Sequence, residues 1–82
     1  MSKKFEFEEE LKQLLRISKS IENIDNDKPL FGVEYGFSSG DLLIVFMELK
    51  EKYNIDLNKF IDKVEDYTVN NIADVLCELV VV

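Results

Sequence analysis

The sequence predicts an all-α protein, a four-helix bundle with three main helices, one short helix and a long first loop. Three observations carry this. Apolar residues recur near the helical period in three separate segments. Strand signals are weak, since only Phe31-Gly32-Val33-Glu34-Tyr35 passes for a strand and it has no obvious partner. The 82 residues, 46% of them hydrophobic, suit one small domain spanning 1–82 with a single core.

The first helix is expected from about Phe5 to about Ile21. Phe7, Leu11, Leu14, Leu15 and Ile21 form its apolar stripe, with Ser18 in the remaining slot. Glu6, Glu8, Glu9 and Glu10 lie in the first turns, where negative charge complements the helix dipole. Lys12, Arg16 and Lys19 follow, with Glu8 and Lys12 four residues apart. A long connection is expected from about Asn23 to Phe37. Asp25-Asn26-Asp27, Pro29, Gly32 and Gly36 favour turns there. The same stretch carries Leu30, Phe31, Val33, Tyr35 and Phe37, so it should be pinned across the bundle rather than free in solvent.

The second helix should begin at Gly40 or Asp41 and end at Tyr53. Ser38, three residues before Asp41, forms the pattern of a capping box with Asp in place of Glu or Gln. Leu42, Val45, Phe46, Leu49 and Tyr53 share one face and belong to the core. Leu43, Ile44 and Met47 fall outside that stripe, so they are either buried under the loop or form a patch for partners. A short third helix is expected between Leu57 and Val64, capped by Asp56 or Asn58, with Phe60, Ile61 and Val64 inward. Thr68 is a good cap for the last helix. Its Val69, Ile72, Ala73, Leu76, Leu79 and Val80 form the cleanest stripe in the chain. The wheel sets Cys77 beside that stripe, where structural burial is expected. The apolar ending Val80-Val81-Val82 is a candidate for burial in a dimer, although a monomer is the expectation.

Composition excludes several functions. Ten basic residues against 17 acidic give a net charge of −7. Such a domain repels phosphate backbones, which argues against nucleic-acid binding. No histidine is present, so Ser-His-Asp and Cys-His catalytic pairs are excluded. One cysteine and no histidine make a zinc site a poor expectation, and no internal disulfide is possible. Asp56, Asp62, Glu65 and Asp66 lack the alternation of a calcium loop and read as a solvated face. No stretch has transmembrane length and the N-terminus lacks a signal-peptide core, so no membrane association and a cytoplasmic location are expected.

The chemistry-bearing segment is Gly36-Phe37-Ser38-Ser39-Gly40-Asp41-Leu42-Leu43. It places two hydroxyls at a helix start beside an apolar face. Through this segment, and through Tyr67-Thr68-Val69 at the last helix, the chain resembles the acyl carrier protein family, which includes peptidyl carrier domains. Counting back from Tyr53 through Leu49, Phe46 and Val45 sets Ser39 on the serine that the family loads. Met47 and Leu43 match apolar partner-contact positions. The resemblance runs from about Phe5 to Leu79 and is specific mainly between Gly36 and Val69. It implies a 4′-phosphopantetheine arm on Ser39, with Ser38 in reserve if the register slips. A separate phosphopantetheinyl transferase would attach the arm, and acyl- or peptide-processing enzymes would be the partners. The protein would hold its cargo as a thioester and would not itself be an enzyme.

Two positions depart from the family pattern. Ser38 stands where the family has Asp, and Gly40 where it has Leu. Lys50 and Lys52 also make the second helix less acidic than is usual. The chain is in this respect similar to acyl carrier-related proteins of bacterial peptide-maturation systems. The alternative is a carrier fold used as a protein–protein interaction module without a prosthetic group. Leu43, Ile44 and Met47 are the docking candidates on either reading.

Overall fold

The computed structural model describes residues 3–19, 21 and 23–80. Four helices follow in order: α1 (Lys3–Lys19), α2 (Ser39–Tyr53), α3 (Leu57–Lys63) and α4 (Val69–Leu79). No strand occurs among the described residues, so Phe31–Tyr35 is not one. Helix α1 packs most extensively on α4, and α2 leans on α1 and α3. Lys19 reaches Asp41 at one end of the α1–α2 pair, and Tyr53 donates a hydrogen bond to Glu10 at the other. The two helices are therefore antiparallel.

The sequence stripes become a single core. Phe7, Leu11 and Leu15 from α1 meet Leu42, Val45, Phe46 and Leu49 from α2, Phe60 from α3, and Val69, Ile72, Ala73 and Leu76 from α4. Leu14, Tyr53 and Leu79 are half-buried at its margin. Val75, which lies off the expected stripe of α4, is also buried. The rings of Phe46 and Phe60 meet edge to face at 4.8 Å, and Phe7 meets Tyr53 in the same manner at 5.2 Å. Such pairs add about 0.5–1.5 kcal/mol beyond their area. Among the described residues no polar or charged residue is buried as a whole, and the Asn26 side-chain oxygen, at the margin, is the one buried side-chain polar atom left without a hydrogen-bond partner.

The caps form as their residues dictate. Ser38, Asp56 and Thr68 cap α2, α3 and α4, each accepting from backbone N–H groups of the first turn. Helix α2 ends at Asn54, which takes the left-handed conformation (φ 55°) that a short amide side chain tolerates. The side-chain oxygen of Asn71 accepts from the N–H groups of Glu65 and Asp66, which ties the α3–α4 connection to α4.

The long connection is pinned, as its apolar content requires. Leu30 and Phe37 are buried and Phe31 and Tyr35 half-buried. Leu30 N–H donates to the Tyr67 carbonyl, and Asn70 N–H to that of Asn26, so the loop is strapped across the start of α4. Val33 corrects the expectation. Gly36 N–H donates to the Gly32 carbonyl, and the turn so closed pushes Val33 fully into solvent.

Other corrections are local. Helix α1 starts at Lys3, two residues earlier than expected, and Ser18 is exposed rather than part of the stripe. Lys12 pairs with Glu9 at 3.1 Å, the neighbour one turn back, where the spacing had favoured Glu8. Ile61 is 36% exposed, because a helix of seven residues can turn only one narrow face inward and Phe60 with Val64 occupies it. Cys77 is exposed on the outer side of α4. Val81 and Val82 of the apolar ending lie outside the described residues.

Candidate functional site

The candidate site is the start of α2. Ser38 is the N-cap, in extended conformation (φ −92°, ψ 167°). Its hydroxyl accepts from Asp41 N–H at 3.2 Å, and the Asp41 carboxylate accepts from Ser38 N–H at 3.0 Å. The capping box is complete, with Asp doing what Glu usually does. Ser38 is thus committed to the helix start. Ser39, the next residue, is the first of α2, is exposed, and has no hydrogen-bond partner among the described residues.

Lys19, at the end of α1, fastens this turn from beside. Its ammonium donates to the Gly36 carbonyl at 2.9 Å and stands 3.8 Å from the Asp41 carboxylate. It also lies over the Phe37 ring at 5.9 Å from the centroid. Gly36 has φ 68°, which a residue with a Cβ adopts only under strain, so the bend into Ser38 depends on glycine. The Asp41 carboxyl is held below its ordinary value, first by the Ser38 N–H, then by the Ser38 hydroxyl, with Lys19 adding to both. Gly40 has no such requirement, because an added Cβ would meet only the Ser38 hydroxyl at 3.8 Å.

Beside Ser39 lies a small apolar groove of about 190 Å³. Leu42 and Phe46 form its floor, Leu43 and Ile61 its rim, and Phe31 and Tyr67 its far wall. Phe31 and Tyr67 touch edge to face at 4.8 Å. The sequence reading singled out Ser39 and Leu43 but missed Phe31, Ile61 and Tyr67 as a lining. A Phe in a turn-rich loop and a Tyr before a cap look like ordinary core, and only the strapping of the loop onto α4 brings them together.

The docking candidates lie on the outer side of α2. Leu43 is 43%, Met47 50% and Ile44 63% exposed. They are not covered by the long connection, whose Leu30 and Phe37 are buried in the core and whose Val33 points into solvent. Cys77 stands away from this end of the molecule on α4. Its thiol is pushed above its ordinary value, first by partial desolvation and next by the Asp74 carboxylate. This is the opposite of what a reactive cysteine needs.

Among the described residues no helix is long and apolar enough to cross a membrane, and no group of side chains is arranged to hold a metal ion. No family model matches this chain. No significant match was found among curated proteins or among solved structures.

Proposed function

We propose that this chain is an acyl or peptidyl carrier-like protein that takes a 4′-phosphopantetheine arm on Ser39. The observation that carries the reading is the division of labour between adjacent serines. Ser38 spends its hydroxyl on the capping box, while Ser39, at the exposed first turn of the same helix, presents one that no other described residue engages. A covalent handle must be reachable and must not be needed by the fold, and Ser39 satisfies both conditions.

The residues present fit such an arm. The exposed hydroxyl supplies the attachment atom, and the adjoining groove offers apolar surface along which an attached chain could lie. When bound, the arm supplies the thiol that holds the cargo as a thioester. The chain's own part is to present Ser39 on a rigid turn and to offer docking surface through Leu43, Ile44 and Met47. A serine hydroxyl is a weak nucleophile at neutral pH. With no histidine in the chain, the activating base belongs to the transferase.

A second reading, an interaction module with no prosthetic group, is favoured by Ser38 and Gly40. Both depart from the carrier pattern, and Gly40 does so without any packing or backbone reason. Intact-mass measurement separates the two after co-expression with a broad-specificity phosphopantetheinyl transferase. The carrier reading expects one added phosphopantetheine, lost in Ser39→Ala and kept in Ser38→Ala. No gain with any competent transferase favours the interaction module.

A further inference from the structure

A second surface, facing away from the groove beside Ser39, joins α2 to α1. Ile17, on the polar side of the α1 stripe, is 75% exposed, the most exposed large apolar residue on the described helices. With Leu14 it faces Ile44 and Val45 across the antiparallel helix pair, around a trench of about 320 Å³. A smaller concavity of about 210 Å³ continues from Ile44 to Met47 along α2. The two share Ile44 and Glu48, so they form one continuous band.

The rim of that band has one sign of charge. Glu48 and Glu51 line it, no Lys or Arg does, and neither glutamate has an ion-pair partner among the described residues. Elsewhere the acids are often paired: Glu6, Glu9, Glu10, Glu34, Asp41, Asp74 and Glu78 each meet a lysine. Unpaired carboxylates beside uncovered isoleucines describe a complementary object, apolar in the middle and basic at the edges.

We propose that the α1–α2 band, centred on Ile17 and Ile44, is the seat of a partner's amphipathic helix whose flanks carry Lys or Arg toward Glu48 and Glu51. A trench between two antiparallel helices accepts a third helix that lays apolar side chains into it at helical spacing. A second copy of this chain is the wrong occupant. A twofold dimer uses the same patch on both subunits and so sets one acidic rim against the other, within two chains each of charge −7. An anionic lipid surface is disfavoured by the same charge. The seat operates whether or not Ser39 carries an arm.

The test uses unloaded, isotope-labelled protein, so its outcome is independent of the carrier reading. The probe is a synthetic helical peptide with Leu at every third and fourth position and Lys on both flanks. Its controls are a scrambled peptide of the same composition and a version with Glu in place of Lys. NMR titration should show shifts centred on Leu14, Ile17, Ile44 and Glu48 with the Lys peptide alone. Ile17→Gln and Ile44→Gln, both surface changes, should each weaken binding roughly tenfold, the effect of losing one large apolar contact. Val33→Gln, equally exposed but on the loop, should leave it unchanged. Glu48→Gln with Glu51→Gln should flatten the salt dependence. Equal binding of the scrambled peptide, shifts centred on the groove beside Ser39, or indifference to Ile17→Gln would overturn the proposal. So would a concentration-dependent dimer in sedimentation that Ile17→Gln abolishes, because the occupant would then be a second copy.

Discussion

Replacing the two adjacent serines one at a time should separate fold from function. In Ser38→Ala the Asp41 N–H loses its acceptor, and half of the capping box disappears. Loss of an N-cap costs about 0.5–2 kcal/mol. This cap is exposed, so water can reach the freed N–H, and the Asp41 carboxylate still accepts from the residue 38 N–H. Both features place the cost near ~1 kcal/mol, the middle of that range. For a domain of this size that is a fall in melting temperature of about 4–8 °C. With a urea slope of about 1 kcal/mol/M, the unfolding midpoint should move by about 1 M. In Ser39→Ala no hydrogen bond among the described residues is lost and the site is exposed, so stability should stay within about 0.5 kcal/mol of the parent. Urea denaturation followed by far-UV circular dichroism measures both. A neutral Ser38→Ala, or a Ser39→Ala as damaging as Ser38→Ala, would mean that the roles of the two serines have been exchanged.

Other consequences are equally direct. Gly40→Ala should stabilise the protein by a few tenths of a kcal/mol and up to about 1, since alanine suits a helix better and the added methyl makes only an ordinary contact with the Ser38 hydroxyl at 3.8 Å; a lower melting temperature would show that this glycine is structurally required after all. Phe60→Ala should cost about 3–5 kcal/mol, because the ring is fully buried against Phe46. That equals the whole stability expected of so small a core, so the variant should be largely unfolded at room temperature by near-UV circular dichroism. Burial, and next the hydrogen bond to Glu10, raise the Tyr53 phenol well above its ordinary 10.0. The folded state therefore favours the protonated phenol. Its contribution is intact below pH about 10 and is lost as pH climbs further. Thermal melts across that window should show the loss in the parent and a smaller one in Tyr53→Phe.

Much of the fold could be read from residue spacing, because the core is built almost entirely from side chains at helical period. Leu42, Val45, Phe46 and Leu49 are buried as their wheel positions require, and so are Val69, Ile72, Ala73 and Leu76. The Ser38–Asp41 box was legible because capping is a local interaction within four residues. The failures share a cause, which is that direction depends on packing at longer range. Val33 points outward because of the hydrogen bond from Gly36 to Gly32, and nothing about valine announces that turn. Cys77 and Val75 flank the same stripe, yet Val75 is buried and Cys77 exposed. Helix α4 is therefore rotated slightly from its ideal wheel. The groove beside Ser39 needed Phe31 and Tyr67, more than thirty positions apart, to meet. Ile17 carried a readable signal, an isoleucine on the polar face of α1, whose meaning appears only when Ile44 is seen across the trench.

The pinned connection explains why the site is well defined in so small a protein. Lys19 joins the end of α1 to the last bend of the loop and to the first turn of α2, so three elements fix the residues around Ser39. Hydrogen exchange at the amides of residues 38–41 should accelerate in Lys19→Met and be restored in Lys19→Arg. Exchange that ignores the substitution would show that the capping box alone holds the turn.

Site-resolved mass spectrometry is the most direct measurement. The purified protein is incubated with coenzyme A and a broad-specificity phosphopantetheinyl transferase, digested, and fragmented across residues 36–50. The carrier account predicts the added group on the Ser39 oxygen and nowhere else. An unmodified peptide under conditions that load a control carrier, or the group found on Ser38, contradicts it.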